Sequence, residues 1–480
     1  MTDQNYLLAV LVGYKLLLLG VGFWAQRRVQ STEDFFLGGR GLGPTVAAIS
    51  YSASSSSAWK LLGFSGLTLV IGVSAVWLML GSILGMFLSW YWLAPKFYAQ
   101  TLASRDLTLT DFISSGVTGA QRGRVVFAAS IIILLSFTLY IAAQFQGAGN
   151  MFAATFGLSV SHSVLLGGGI IFLYTVLGGF WAVSVTDAIQ GFIMAGATLL
   201  LPIAAVVSLG GPVAFVDTLT GVATPAQLSF TGANVGLLAL GLVIGNLSVS
   251  VSSFGQPHML VRFMALQDER SIRRGRHIAA AWYLIVDVGV LIVGLAGLTL
   301  QMQLDNPENL FFALTTELFH PFVAGLITAA ILSAIMSTAD SQLLVSASVV
   351  SHDLGLGKRS RFSALAASRI CIAVLVGFSI LVTLYMPEAI FSRAVFAWVA
   401  LGASFGPIVL VRAWGRTLPG GVTLLAMITG FVLAVTFYLL PDTPGDFMER
   451  VVPFLLALAI AWFGSAPASH PSQSPRQASI

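Results

Sequence analysis

Three stretches of this chain set hydroxyls and charges inside otherwise apolar sequence: "SYSASSSSAWKLLGFSG" at 50–66, "GNLSVSVSSFGQP" at 245–257 and "ILSAIMSTADSQLLVSAS" at 331–348. In the third, Ser337, Thr338, Asp340 and Ser341 fall within about one helical turn. Ser337 shares a face with Asp340 three residues on and with Ser341 four residues on. Hydroxyl, carbonyl and carboxylate oxygens are hard ligands, suited to a small hard cation. Carbonyls freed in the first stretch can complete the shell of such an ion. On a second reading Asp340 is a buried carboxylate paired with a basic group. Lys60 adds a positive charge to the first stretch, and a lone ammonium inside a membrane is costly enough to require a partner.

Membrane helices must hold these groups. Only 9% of the 480 residues are charged, 57% are hydrophobic and the mean hydropathy is +0.90. A soluble domain carries about 25% charged residues. Apolar segments of the length that crosses a bilayer recur, and we read thirteen spans, at 5–25, 44–70, 74–98, 124–153, 160–180, 186–209, 235–257, 278–302, 319–350, 363–386, 388–412, 419–440 and 448–466. The first ends at "QRR" without a small-residue cleavage site, so it reads as a span and not a removable leader. With the N-terminus outside, the inner side holds Arg27, Arg28, Lys96, Arg262 and the "RSIRRGR" loop. Of 23 Lys and Arg residues, only Arg393 and Arg450 fall outside, with Lys15 and Lys60 inside spans. Basic loops stay cytoplasmic, so the sequence predicts N-terminus out and C-terminus in. The basic balance therefore reflects topology, and no nucleic-acid partner is expected. The single cysteine, Cys371, excludes an internal disulfide. Residues 467–480, rich in Pro and Ser, read as a disordered cytoplasmic tail.

Serines in membrane helices commonly bond back to their own backbone. Dense runs of them also let a helix unwind while the freed backbone groups stay satisfied. Two interrupted spans at corresponding positions point to a midplane site in transporters built from inverted repeats. Spans two and seven fit that pattern, each opening a five-span unit. The predicted divisions are 1–43 (peripheral first helix and inner loop), 44–209 (first repeat), 210–234 (outer loop), 235–412 (second repeat) and 413–466 (two peripheral helices). There is no Gly-Lys-Ser/Thr phosphate loop, no Cys/His cluster and no nucleophile–base pair. An ATP-driven pump and an enzyme are therefore disfavoured, and no cofactor is expected.

The stretches "DFFLGGRGLGP" (34–44), "SASSSSAWKLLGFSG" (52–66), "LTLTDF" (107–112), "VSVTDAIQG" (183–191), "FGQPHMLVRFMA" (254–265), "SAIMSTADSQLLVSAS" (333–348) and "GASFGPIVL" (402–410) run in order over nearly the whole chain. Together they resemble the sodium/solute symporter family, and in particular its bacterial sodium/proline symporters. The resemblance implies an all-α polytopic protein of the bacterial inner membrane. It implies a LeuT-type five-plus-five inverted-repeat core within about thirteen transmembrane helices, and solute uptake driven by sodium as the coupling ion. It places sodium at carbonyls of Ala53, Ser56 and Ala334 and at the hydroxyls of Ser337 and Thr338. It places Asp187, at the start of span six, on the ion path towards the cytoplasm. Asp340 and Ser341 of span nine are candidates for the same path. It links Arg40 to transport as an inner-loop residue, and sets Tyr140 and Pro257 near the sodium or the solute.

The chain departs from the proline carriers at several positions. Ser55 stands where they carry an aspartate, and Val249 and Ser253 stand where they carry an aromatic pair. Lys60 and Asp287 replace apolar residues, and Lys15 is a further charge in span one. Ser55, Ser57, Lys60 and Ser253 are thus candidates for lining the solute cavity. Lys60 has three readings: an ion pair with Asp287, a partner for the carboxylate of an anionic solute, or a stand-in for a cation or proton carrier. Lys15 competes with it for Asp287. The expected function is sodium-coupled uptake of L-proline or another small amino acid. The alternatives are a transporter-like sensor and a proton-coupled or sodium-independent carrier of a small carboxylate. Oligomeric state stays open.

Overall fold

The computed structural model describes residues 3–26, 36–177, 179–355, 364–386 and 388–467. Arg27, Arg28, the Lys358–Arg361 loop and, beyond residue 467, the predicted tail lie outside the described residues. The apolar sequence leaves the backbone no partner except itself, which in lipid means helices. Among the described residues ten helical stretches are long and apolar enough to cross a membrane.

After α1 (Asp3–Gln26), α2 (Pro44–Ala58) begins with proline in its first turn, where a missing N–H is harmless. A turn of π-helix at Trp59–Phe64 leads into α3 (Ser65–Ile71), and a 3-10 turn at Gly72–Ala75 leads into α4 (Val76–Phe87) and α5 (Ala94–Ser104). This stretch of 61 residues, Pro44–Ser104, covers the second and third spans read from the sequence. There follow α6 (Leu109–Ser114), α7 (Gly119–Phe156), α8 (Val160–Leu177), α9 (Phe180–Ser208) and α10 (Pro212–Val222). The second half holds α11 (Gly236–Leu247), α12 (Pro257–Met264), α13 (Glu269–Thr299), α14 (Leu310–Leu318), α15 (Pro321–Ser348), α16 (Ala364–Tyr385) and α17 (Ile390–Ala413). Helices α18 (Gly420–Tyr438) and α19 (Phe447–Phe463) follow.

The predicted outer loop at 210–234 is largely helical, containing α10 and a short helix at Pro225–Leu228. Each starts with proline, and a Thr224–Gln227 capping box sets the second. Span six also starts earlier than read: α9 begins at Phe180 after extended Gly179. Asp187 therefore lies two turns inside the helix and is fully buried, not at a solvated start.

Helix α17 runs through the middle of the protein, with its apolar window entirely buried. The broken segment after α11 reaches it because both sides are glycine. A Cβ on Gly402 would fall 2.4 Å from Ser252 Cα, and one on Gly255 would fall 2.5 Å from the Leu401 carbonyl oxygen. Helix α2 packs between α9, α13 and α15, which brings the first and third polar stretches of the sequence together, while the second packs against α4 and α17.

Candidate functional site

Helix α2 breaks at Ser57, whose backbone sits at φ 26°, ψ −174°. The Ala58 N–H, left without its helical acceptor, donates to Gln144 Oε1 of α7 at 2.9 Å, and the Trp59 N–H meets Ser57 Oγ at 3.2 Å. The segment after α11 breaks by another route. A 3-10 turn at Ser253–Gly255 ends in extended Gln256 (φ −89°, ψ 104°) before Pro257 opens α12. The Gln256 side chain donates to the carbonyls of Ser252 and Trp398 at 3.0 and 2.8 Å, bridging the break to α17.

Beside the break in α2 lies the buried turn of α15 that the sequence singled out. The Ser337 hydroxyl is 3.3 Å from both the Ala53 and Ala334 carbonyl oxygens. The Thr338 hydroxyl is 2.9 Å from the Ser54 carbonyl and 3.1 Å from that of Ala334. Ser56, one turn from Ala53 and next to the break, is fully buried with its hydroxyl unpartnered among the described residues. Carbonyl and hydroxyl oxygens from two helices thus converge on one buried spot.

Towards the basic side of this ring sits a group that the sequence reading gave to a loop. Arg262 lies on α12 and is 1% exposed. Its Nη2 donates to Asp187 Oδ2 at 2.9 Å, to Ser54 Oγ at 3.0 Å and to Ser341 Oγ. Its Nε reaches Ser50 Oγ at 3.1 Å, and Nη1 reaches the His258 carbonyl. The signal was available: in "FGQPHMLVRFMA" the arginine is embedded in apolar sequence, unlike the loop arginines. Ser341 therefore faces Asp187 and Arg262. Asp340 does not join it, and its Oδ1 accepts from Thr175 of α8 instead. Adjacent helical residues point about 100° apart, which separates the two.

On the opposite side of the break the Tyr140 hydroxyl lies 3.5 Å from Ser57 Oγ. Phe137, Tyr140 and Trp398 surround the His258 ring edge to face, with centroids 5.5 to 6.4 Å away. Pro257 lines a small cavity with Phe36, Phe180, Ile133 and Val261. Arg40 donates to the Met264 and Asp106 carbonyls at 3.1 and 2.8 Å, tying its loop to the ends of α12 and α5. Gln144 and His258 were not singled out from sequence, because one glutamine or histidine among apolar residues carries no distinctive spacing.

Several expected cavity residues are engaged elsewhere. Lys60 Nζ is 3.0 Å from Asp287 Oδ2 and 2.9 Å from Ser82 Oγ, and lies 4.3 Å from the centroid of the Tyr283 ring. Both partners of this pair are 1% exposed. Lys15 does not compete for Asp287; its Nζ meets the Met336 sulfur. Ser55 Oγ is held by the Ser52 carbonyl at 2.7 Å and the Tyr283 hydroxyl at 2.5 Å, facing α13. Ser253 Oγ packs against Gly85 of α4. Ser253 lies in the 3-10 turn of the predicted interruption, whose register the sequence alone does not set.

The family model for the sodium:solute symporter family matches residues 35–430. An osmoregulated proline transporter of Bacillus subtilis is 33% identical over 426 residues, covering 87% of this chain and 85% of the relative. A high-affinity proline transporter of the same organism is 32% identical, covering 95% and 97%. Among solved structures, a Na+-coupled sialic acid symporter in its substrate-bound outward-open state superposes with a TM-score of 0.78 at 18% identity, covering 95% of this chain and 97% of that one. MhsT in complex with L-phenylalanine superposes at 0.54 and 11% identity, covering 88% and 98%. The fold is LeuT-type. With a family match across most of its length and a multi-pass helical architecture, the chain belongs to the sodium:solute symporter family.

Proposed function

We propose that this protein is a secondary transporter that couples the inward movement of sodium to uptake of L-proline or another small neutral amino acid. The convergence of the Ala53, Ser54 and Ala334 carbonyls with the Ser337 and Thr338 hydroxyls at the break of α2 carries the reading. Sodium held there, with the Ser56 carbonyl as a further ligand, ties α2 to α15 and stabilises the arrangement open to the outside. The solute enters between the two breaks, beside Ser57, Tyr140 and His258. Occlusion follows, and the ion leaves past Ser341 and Asp187. One charge moving through 100 mV supplies about 2.3 kcal/mol, enough for roughly 50-fold accumulation. The bias of basic residues towards one side supports an orientation with the N-terminus outside and the C-terminus in the cytoplasm, in a bacterial inner membrane. The proline preference comes from the Bacillus relatives.

The test is uptake of labelled L-proline and a panel of small amino acids into proteoliposomes. We expect accumulation only under an inward sodium gradient. Uptake indifferent to sodium but abolished by a protonophore would replace sodium with protons. Saturable binding without flux would make the protein a sensor.

A further inference from the structure

We propose that Arg262 is a tethered cation that competes with the transported ion for Asp187, closing the path from the ring to the basic side until it is displaced. This rests on the sodium-symport reading above and adds a gate to it.

The guanidinium sits where it can do both. It donates to Asp187 of α9, to Ser50 and Ser54 of α2 and to Ser341 of α15, while anchored on α12. One side chain therefore locks four elements together, including the basic-side halves of both broken segments. Ser54 joins this lock to the ring. Its hydroxyl accepts from Arg262 and lies 3.3 Å from the Ser337 carbonyl, while its own carbonyl lies 2.9 Å from the Thr338 hydroxyl. An ion moving from the ring towards the basic side next meets Ser54, Ser341 and Asp187, all already bonded to Arg262. The Phe180 ring, 5.3 Å from the guanidinium carbon, covers it.

The carboxylate is only half used. Asp187 Oδ2 takes every bond from Arg262 and the serines, and Oδ1 is buried without a hydrogen-bond partner among the described residues. A cation arriving from the ring thus finds a free oxygen before the guanidinium leaves. Opening the pair without such a cation strands a buried carboxylate and a buried guanidinium, which is strongly unfavourable. Opening it with the ion in place strands neither carboxylate oxygen. Helix α12 is a separate element of eight residues after extended Gln256, so its displacement would carry Arg262 away from Asp187. The planar fork that bonds Asp187 and Ser50 at once is particular to arginine.

The experiment uses the full-length protein in a Cys371→Ala background with one reporter cysteine, Val345→Cys, one turn beyond Ser341 and lining the small basic-side cavity. Reporter labelling by an impermeant maleimide is measured in choline, without sodium. Sodium affinity is measured separately by sodium-dependent thermal stabilisation against choline. We expect Arg262→Gln to speed labelling at least fivefold and to tighten sodium binding at least threefold, since Asp187 is freed. Adding Asp187→Asn should abolish the gain in affinity. Arg262→Lys, which keeps the charge and loses the fork, should move both readouts in the same direction by at least twofold, and serves if the glutamine variant does not fold. Unchanged labelling and unchanged or weaker sodium binding in a folded Arg262 variant would overturn the proposal. If the parent protein shows no sodium-specific stabilisation, the symport reading fails, and the labelling in choline still decides the gate.

Discussion

Lys60 shows how one side chain can be placed in an apolar segment. Its ammonium is neutralised by Asp287, 227 positions away in sequence, and the pair is sealed by Ser82 and the Tyr283 ring. Removing one partner of such a pair leaves an uncompensated buried charge, whereas removing both is often tolerated. Lys60→Met should therefore destabilise the purified protein by about 3–5 kcal/mol, read as a lowered melting temperature. The double variant Lys60→Met with Asp287→Leu should recover most of the loss. A single variant that melts with the parent would show that the pair contributes nothing. At this scale the sequence disclosed which residues are unusual, but not their partners. Lys60, Lys15, Asp287 and Asp340 all stood out as charges in apolar segments, and only packing decided that Lys60 meets Asp287 while Lys15 meets Met336. Arg262 is hard to tell from an exposed loop arginine in the sequence because it sits close to basic loops in the chain.

Both broken segments depend on side chains that take over abandoned backbone bonds. Gln144 does this for Ala58, and Gln256 holds the second break to α17. A buried N–H left unmet costs about 1–3 kcal/mol. Gln144→Leu should therefore lower thermal stability by that amount and reduce sodium affinity, since the break at Ser57 frees the oxygens around it. Stability and affinity equal to the parent's would mean that the break holds itself. The breaks were legible as elements because the serine runs are dense and because Gly255 and Pro257 mark the second. The start of α9 was misread because Asp187 looked like a helix-start acid. The actual start lies at "GGF", where apolar aromatics resemble span interior. The helices within 210–228 were passed over because short capped helices carry no membrane-length signal.

At the scale of the whole molecule, the broken helix α2 and the continuous helix α15 bring carbonyl and hydroxyl oxygens to one buried spot, in a chain that belongs to the sodium:solute symporter family. The all-helical membrane architecture and the two breaks were legible from the apolar span lengths and the polar interruptions, because the bilayer permits so few alternatives. The lining of the solute space was not, since it depends on how far each break rotates the residues after it, as Ser253 shows. The proposed transport cycle depends on ion binding by the oxygens of α2 and α15. The most direct test is the sodium dependence of solute uptake in the parent and in Ser337→Ala and Thr338→Ala. Each substitution is expected to raise the half-saturating sodium concentration at least tenfold, about 1.4 kcal/mol of lost ion binding, with the protein still folded. Unaltered sodium dependence in both variants would contradict it.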